Sequence, residues 1–144
     1  MMQRKNDKQL ASVWSACEQR GWNVTAPRQE VIETLVKAGK PLTAYEIIDE
    51  LGAKPPTVYR ALEFWVETGF VHKLDSKNAF VFCAETHDHA DALFLVCSEC
   101  ENVEEIHDRK ISNALETLAK HQHFHINRAL TELHGTCSAC CKGH

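Results

Sequence analysis

The chain has 144 residues, 44% of them hydrophobic, with 16 Lys+Arg against 20 Asp+Glu and a formal net charge of −4. That length holds one compact domain or two small ones, and a charged fraction of 25% without low-complexity runs excludes a disordered chain. The longest apolar stretches, such as Ala92-Leu93-Phe94-Leu95-Val96, are far too short to span a bilayer, and the polar Met2-to-Lys8 segment gives no expectation of a signal peptide. Taken alone, the acidic balance disfavours a nucleic-acid binder.

Leu10, Val13, Trp14 and Cys17 recur at i, i+3, i+4 and i+7, one face of a helix that stops at Gly21. Pro27 suits the first turn of a second helix, whose Val31, Ile32, Leu35 and Val36 face inward before Gly39. Thr43-Ala44-Tyr45-Glu46 is a capping-box sequence that opens a short third helix with Ile47, Ile48 and Leu51, closed by Gly52. Pro55-Pro56 cannot continue a helix but can begin one, and a fourth helix runs from there through Thr57 to Glu67, ending at Gly69. Two β-rich runs follow, Phe70–Leu74 and Ala79–Cys83, with Asp75-Ser76-Lys77-Asn78 as the turn between them. Two short helices and a hairpin behind them are the outline of a winged helix-turn-helix. On the fourth helix Val58, Ala61, Leu62 and Trp65 face the core, leaving Thr57, Tyr59, Arg60 and Phe64 nearer the outside. Arg60 is placed to read a guanine edge in the major groove, with Thr57 and Tyr59 on phosphates.

The composition changes after Cys83. Residues 1–83 carry a net charge of +1, one His and two Cys, whereas residues 84–144 carry −5, eight His and five Cys. The expected organisation is a winged-helix domain over 1–83, a hinge over 84–91 and a small α/β unit over 92–144. Cys97-Ser98-Glu99-Cys100 and Cys137-Ser138-Ala139-Cys140 are the sharpest feature of the second part. Each pair lets two thiolates grip one metal from a tight turn, and together they complete the S₄ shell that suits Zn²⁺. Such a site is closed to substrate, and the fold must bridge the 36 residues between the pairs. Cys141 is a spare thiol beside it. Val103–Ile106 and Phe124–Leu130 read as strands, with Ile111, Leu115 and Leu118 on one face of a helix between them. A core this small favours dimerisation. His72, Cys83, His87, His89 and Glu105 remain as donors for a second, mixed site able to take Zn²⁺. His107, His121, His123 and His125 read as surface residues.

Ala53-Lys54-Pro55-Pro56-Thr57-Val58-Tyr59-Arg60-Ala61-Leu62, with Gly69-Phe70-Val71-His72-Lys73, resembles the ferric uptake regulator family, and within it the zinc uptake regulator branch. The resemblance runs from about Leu10 to Cys141 and includes the paired C-x-x-C motifs and His134-Gly135 before Cys137. It implies a cytoplasmic, bacterial, zinc-responsive repressor of zinc uptake genes: a homodimer bound to double-stranded operator DNA, an A/T-rich palindrome. Two Zn²⁺ per protomer are implied. The structural ion would be held by Cys97, Cys100, Cys137 and Cys140. The regulatory ion would be held by His72, Cys83, a linker histidine and Glu105. His89 is the matching histidine but lies one residue farther from Cys97, so His87 and Asp91 stand beside it as alternatives. Tyr45 and Arg60 match positions that contact operator bases. The turn between Leu51 and Thr57 is shorter than the family's, and its His-rich tail is reduced to His144.

Three other readings compete with this one. An iron, manganese or peroxide sensor of the same family is disfavoured by Cys83, because a thiolate suits Zn²⁺ better than Fe²⁺ or Mn²⁺. An enzyme lacks support, since neither H-E-x-x-H nor the deaminase H-x-E with P-C-x-x-C is present. A zinc-stapled protein-interaction module would share the cysteine pairs but bind no DNA. The net charge does not decide against DNA, because the acidity belongs to the metal-binding part.

Overall fold

The computed structural model describes residues 2–83, 92–126, 129 and 131–141. The chain divides into two compact units, Met1–Thr86 and His87–His144. Among the described residues no helix is long and apolar enough to cross a membrane. All seven cysteines are free thiols.

The first unit contains α1 (Met2–Arg20), α2 (Ala26–Ala38), β1 (Leu42–Thr43), α3 (Ala44–Leu51), α4 (Pro55–Thr68), β2 (Val71–Leu74) and β3 (Ala79–Phe82). Local chemistry sets each boundary. Thr25 caps α2 by accepting from Arg28 N, and Gly39 closes it in the left-handed conformation at φ 63°. The capping box at α3 is complete: Glu46 N donates to Thr43 Oγ1 at 3.1 Å, and Thr43 N donates to Glu46 Oε1 at 3.3 Å. Thr43→Ala should therefore cost about 0.5–2 kcal/mol of unit stability, read as a lower urea midpoint at unchanged slope. Pro55 and Pro56 occupy the first turn of α4, where their missing N–H groups cost nothing, and Gly69 ends it at φ 92°.

The core of this unit joins Val13 and Cys17 of α1 to Val31, Ile32, Leu35 and Val36 of α2, Ile47 of α3 and Val58, Ala61, Leu62 and Trp65 of α4. Fully burying an Ile, Leu or Val of this set contributes roughly 1.5–3 kcal/mol each. Burial also raises the Cys17 pKa, so this thiol stays neutral as a small core residue. β1, β3 and β2 form one sheet in that order, with β2 and β3 antiparallel through Val71↔Phe82 and Leu74↔Ala79. β1 had no signal in the sequence beyond Leu42: it is two residues long and exists because Leu42 pairs with Phe80. This is a winged helix-turn-helix, with α3–α4 as the helix pair and β2–β3 as the wing.

The second unit contains β4 (Ala92–Cys97), β5 (Val103–His107), α5 (Arg109–His121) and β6 (Thr131–Gly135). Its sheet order is β5-β4-β6. β4 and β5 are antiparallel, whereas β4 and β6 run parallel from Leu93↔Thr131 to Cys97↔Gly135. The sequence pattern predicts the last strand over Phe124–Leu130. It lies instead at Thr131–Gly135; residues 124–126 are not in a strand, and residues 127, 128 and 130 lie outside the described residues. The parallel register with β4 decides this. Asp108 caps α5 by accepting from Lys110 N at 2.9 Å and Ile111 N at 3.3 Å. Only Ser112 of α5 is buried, and Ile111, Leu118, Phe124 and Leu133 are exposed within the single chain.

Candidate metal centres and nucleic-acid interface

β4 ends at Cys97, and the chain turns back so that Cys97 N donates to Asn102 O at 2.9 Å and Glu101 N to Cys97 O at 3.1 Å. Glu101 takes a left-handed φ of 63° to make this turn. The second pair sits in a similar turn after β6, where Cys140 N and Cys141 N both donate to Cys137 O, at 3.0 and 2.8 Å. Strands paired in parallel end side by side, about 5 Å apart. Ser98 N donates to Gly135 O at 2.8 Å across that end, so the two motifs meet despite the long interval between them.

The donor atoms of Cys97, Cys100, Cys137 and Cys140 consequently lie within 4.8 Å of one another. Cys100 Sγ is 3.7 Å from Cys137 Sγ, and Cys137 N donates to Cys97 Sγ at 3.4 Å. The N–H groups of Cys100 and then Cys137 draw the Cys97 pKa down to about 6. Cys140 is pushed up to about 12, chiefly by Cys137 and then Cys100. At Cys100 the Asn102 N–H lowers the pKa, but the Cys97 and Cys137 thiols outweigh it and the net shift is upward. One thiolate is thus supported by the backbone, whereas its neighbours resist further negative charge. Four thiolates in this space need a cation, and four soft donors with no open position fit Zn²⁺ as a structural ion. Loading displaces the remaining thiol protons, so affinity should rise with pH. Cys141 is exposed beside the cluster.

In the first unit, His72 on β2 and Cys83 just after β3 are both buried, at 4% and 0% exposure. The wing register opposes His72 to Val81, two residues before Cys83, so the two side chains share a sheet face as diagonal neighbours. Their donor atoms lie within 4.8 Å. Val71 and Phe80 point to the opposite face and into the main core. A buried imidazole and thiol on the non-core face of a hairpin form half of a tetrahedral site. Glu105 belongs to β5 of the second unit, half-buried, opposite Phe94 and with Oε1 3.0 Å from His107 Nε2. His89, His87 and Asp91 lie outside the described residues, as does His144.

The face expected to meet DNA is built on α3 and α4. Tyr45 is 77% exposed and Tyr59 50%, which leaves both side chains open to a partner. Arg60 is also exposed, while Thr57 is half-buried near the start of α4. Trp65, wholly buried, fixes the back of this helix by donating Nε1–H to the Arg28 carbonyl at 2.8 Å. Phe64 is not simply an outward residue: its ring packs edge-on to Trp22 and Trp65, and the Arg28 guanidinium lies 3.8 Å from its centroid. Neither Arg28 nor this aromatic set stood out in the sequence, since Arg28 is 36 positions from Phe64 and carries no local pattern.

A winged helix with exposed aromatics and arginine on its second helix, followed by a sheet unit that gathers four thiols, defines a metal-site winged-helix regulator fold. The chain belongs to the ferric uptake regulator family, whose model matches residues 19–134. It is 37% identical over 138 residues to the zinc uptake regulation protein of Escherichia coli (strain K12), covering 91% of this chain and 80% of that one. Among solved structures, a zinc uptake regulator complexed with zinc and DNA matches 94% of each chain at 34% identity and a TM-score of 0.86. A crystal structure of holo XcZur matches 94% of this chain and 97% of that one, at 41% identity and a TM-score of 0.85.

Proposed function

We infer that this protein is a zinc-responsive, DNA-binding transcriptional repressor of zinc uptake genes, active as a zinc-loaded homodimer, and not an enzyme. The observation that carries this reading is the likeness, over 94% of the chain, to a zinc uptake regulator complexed with zinc and DNA. The chain's own chemistry agrees, because it separates a closed four-thiol cluster from a buried His–Cys pair in the wing. Cys97, Cys100, Cys137 and Cys140 hold the structural zinc. His72 and Cys83 take the regulatory zinc together with Glu105 and a linker histidine, His89. Residues 1–83 meet DNA, 84–91 act as hinge and 92–144 dimerise. The exposed apolar side chains Ile111, Leu118 and Phe124 suit burial against a second copy. A cytoplasmic location follows from the repressor role.

The wing pair makes zinc a selector of conformation. With the regulatory site empty, the winged helices of a dimer sample many orientations. Zinc fastens the wing and favours the spacing that matches two half-sites of an A/T-rich palindrome. It also changes charge: a neutral thiol with ionised Glu105 carries −1, whereas Zn²⁺ with thiolate and carboxylate carries zero. Tyr45 and Arg60 read bases, while Thr57 and Tyr59 contact phosphates. Arg60→Ala should cost roughly 1–3 kcal/mol of operator affinity and relax specificity at one base pair; an unchanged operator preference removes Arg60 from this role. The reading as a whole is tested by titrating operator DNA against the protein in buffered Zn²⁺, Fe²⁺ and Mn²⁺. Tight binding in Zn²⁺ alone supports it, and an equal response to all three metals rejects the zinc assignment.

A further inference from the structure

On α4, Thr57, Arg60 and Phe64 follow one another at i, i+3 and i+7, a single helical stripe. The first two are polar and suit DNA, whereas the third is an aromatic ring that cannot bond a phosphate. The structure covers that ring with Arg28, whose guanidinium lies 3.8 Å from the Phe64 centroid. The same guanidinium donates from Nη1 to the carbonyl of Asn23, before the start of α2. The Arg28 backbone is held as firmly: its N–H donates to Thr25 Oγ1 at 3.4 Å, and its carbonyl accepts from Trp65 Nε1 at 2.8 Å. A side chain from another helix is thus anchored one turn beyond Arg60 on the reading stripe. It remains half-exposed.

We propose that Arg28 is a second DNA-contacting cation of the reading face, docking a backbone phosphate next to the base pair read by Arg60. The proposal rests on the repressor reading and extends it to a residue outside the helix-turn-helix. An arginine has five N–H donors, and only one hydrogen bond of this guanidinium is to the protein's own backbone among those described. The planar edge that remains matches a phosphate in two-point fashion. Stacking on Phe64 and the Asn23 bond fix the rotamer beforehand, so little side-chain entropy is lost on docking. Because Trp65 of α4 is bonded to the Arg28 carbonyl, the phosphate contact and the reading helix move as one body. A phosphate contact carries no sequence information but sets the register from which Arg60 reads.

The test is fluorescence anisotropy with the full-length zinc-loaded dimer, on operator and scrambled duplexes, across a salt series. Arg28→Gln is the informative variant, because a glutamine three residues after Thr25 completes a capping box and leaves the start of α2 supported. It should lower the slope of log K against log salt by about 0.9 per protomer contact and weaken both duplexes by a similar factor. Arg28→Lys, which keeps the charge, should retain most of the slope. An unchanged slope in Arg28→Gln, or a loss confined to the operator, overturns the proposal and leaves Arg28 as a packing residue. Should Arg28→Gln fail to fold by circular dichroism, a methylphosphonate scan of the operator decides with wild-type protein and Arg28→Met, which keeps the aliphatic stem but no charge. One neutralised phosphate that weakens the wild type more than the methionine variant supports the contact; equal sensitivity at every phosphate overturns it. Wild-type protein that binds neither duplex in zinc defeats the repressor reading itself, a result distinct from any change between variants.

Discussion

Replacing Cys97 with serine is expected to strip the structural zinc and leave the C-terminal unit unable to fold. The reason lies in how little else holds that unit. Among the described residues its buried apolar set is limited to Leu93, Phe94, Val96 and Cys97, all on the central strand, and α5 contributes only Ser112 to the buried set. A core of that size cannot offset the conformational entropy of ordering several dozen residues at roughly 1–2 kcal/mol each. The zinc therefore has to supply folding free energy, as it does in small domains that unfold without their metal. Cys97 is the most damaging ligand to lose. It ends β4, accepts the Cys137 N–H at 3.4 Å and is the thiol most readily ionised, with its pKa drawn down to about 6. Metal analysis of Cys97→Ser should give about one zinc fewer per protomer than wild type, and sedimentation should show loss of the dimer. Prolonged chelation of the wild-type protein should reproduce both effects. A Cys97→Ser protein that keeps its full zinc content and remains dimeric would mean the four-thiol cluster is not the structural site.

Cys83→Ser should act in a different way, abolishing zinc-dependent DNA binding while the dimer and the structural zinc persist. Cys83 belongs to the wing, wholly buried, with its N–H donating to Phe70 O at 2.8 Å and its sulfur within 4.8 Å of a His72 ring nitrogen. Serine preserves the shape and the backbone bond, so the winged helix should remain intact. A hydroxyl is nevertheless a far poorer zinc ligand than a thiolate. Without it the metal loses its grip on the wing, and with it the coupling between zinc and operator. Such couplings are typically about 5–150-fold in affinity, and that is the size of the gain Cys83→Ser should forfeit when zinc is added. By reciprocity, operator DNA should no longer tighten zinc in the variant. The decisive readout is the ratio of operator affinity with and without zinc, beside a metal count. A variant that unfolds and releases the structural zinc would show that the two sites had been divided wrongly.

Much of the local architecture is legible in the residues themselves. Helix ends are written by short-range chemistry: the Thr43–Glu46 capping box, the left-handed glycines at 39, 52 and 69 and the paired prolines opening α4 each act within a few positions. The buried stripe of α4 also follows from period alone, because one face of an amphipathic helix has only one way to be covered. Strands are less local. β1 is two residues whose only reason to be extended is Phe80 and Ala79 opposite. β6 lies away from its expected position because register with β4, not the strand-like pattern at 124–130, determines which residues pair. The same long-range pairing hid Arg28, whose contacts with Phe64 and Trp65 join residues 36 and 37 positions apart.

The sequence by itself determined the helices and the wing hairpin, the two-part composition and the chemical identity of the donors: four thiols in two C-x-x-C turns, and a separate set of His, Cys and Glu. Those follow from residue type and from spacings shorter than one turn or hairpin, where covalent geometry leaves few alternatives. Only the tertiary structure decided that the two cysteine turns meet, because the parallel alignment of β4 and β6 is what brings residues 40 positions apart to within hydrogen-bonding distance. It alone decided that His72 and Cys83 share the buried, non-core face of the wing, since face sharing depends on the hairpin register. And it alone placed Arg28 against Phe64 and Trp65 of α4, through a hydrogen bond and a ring contact that no local pattern encodes.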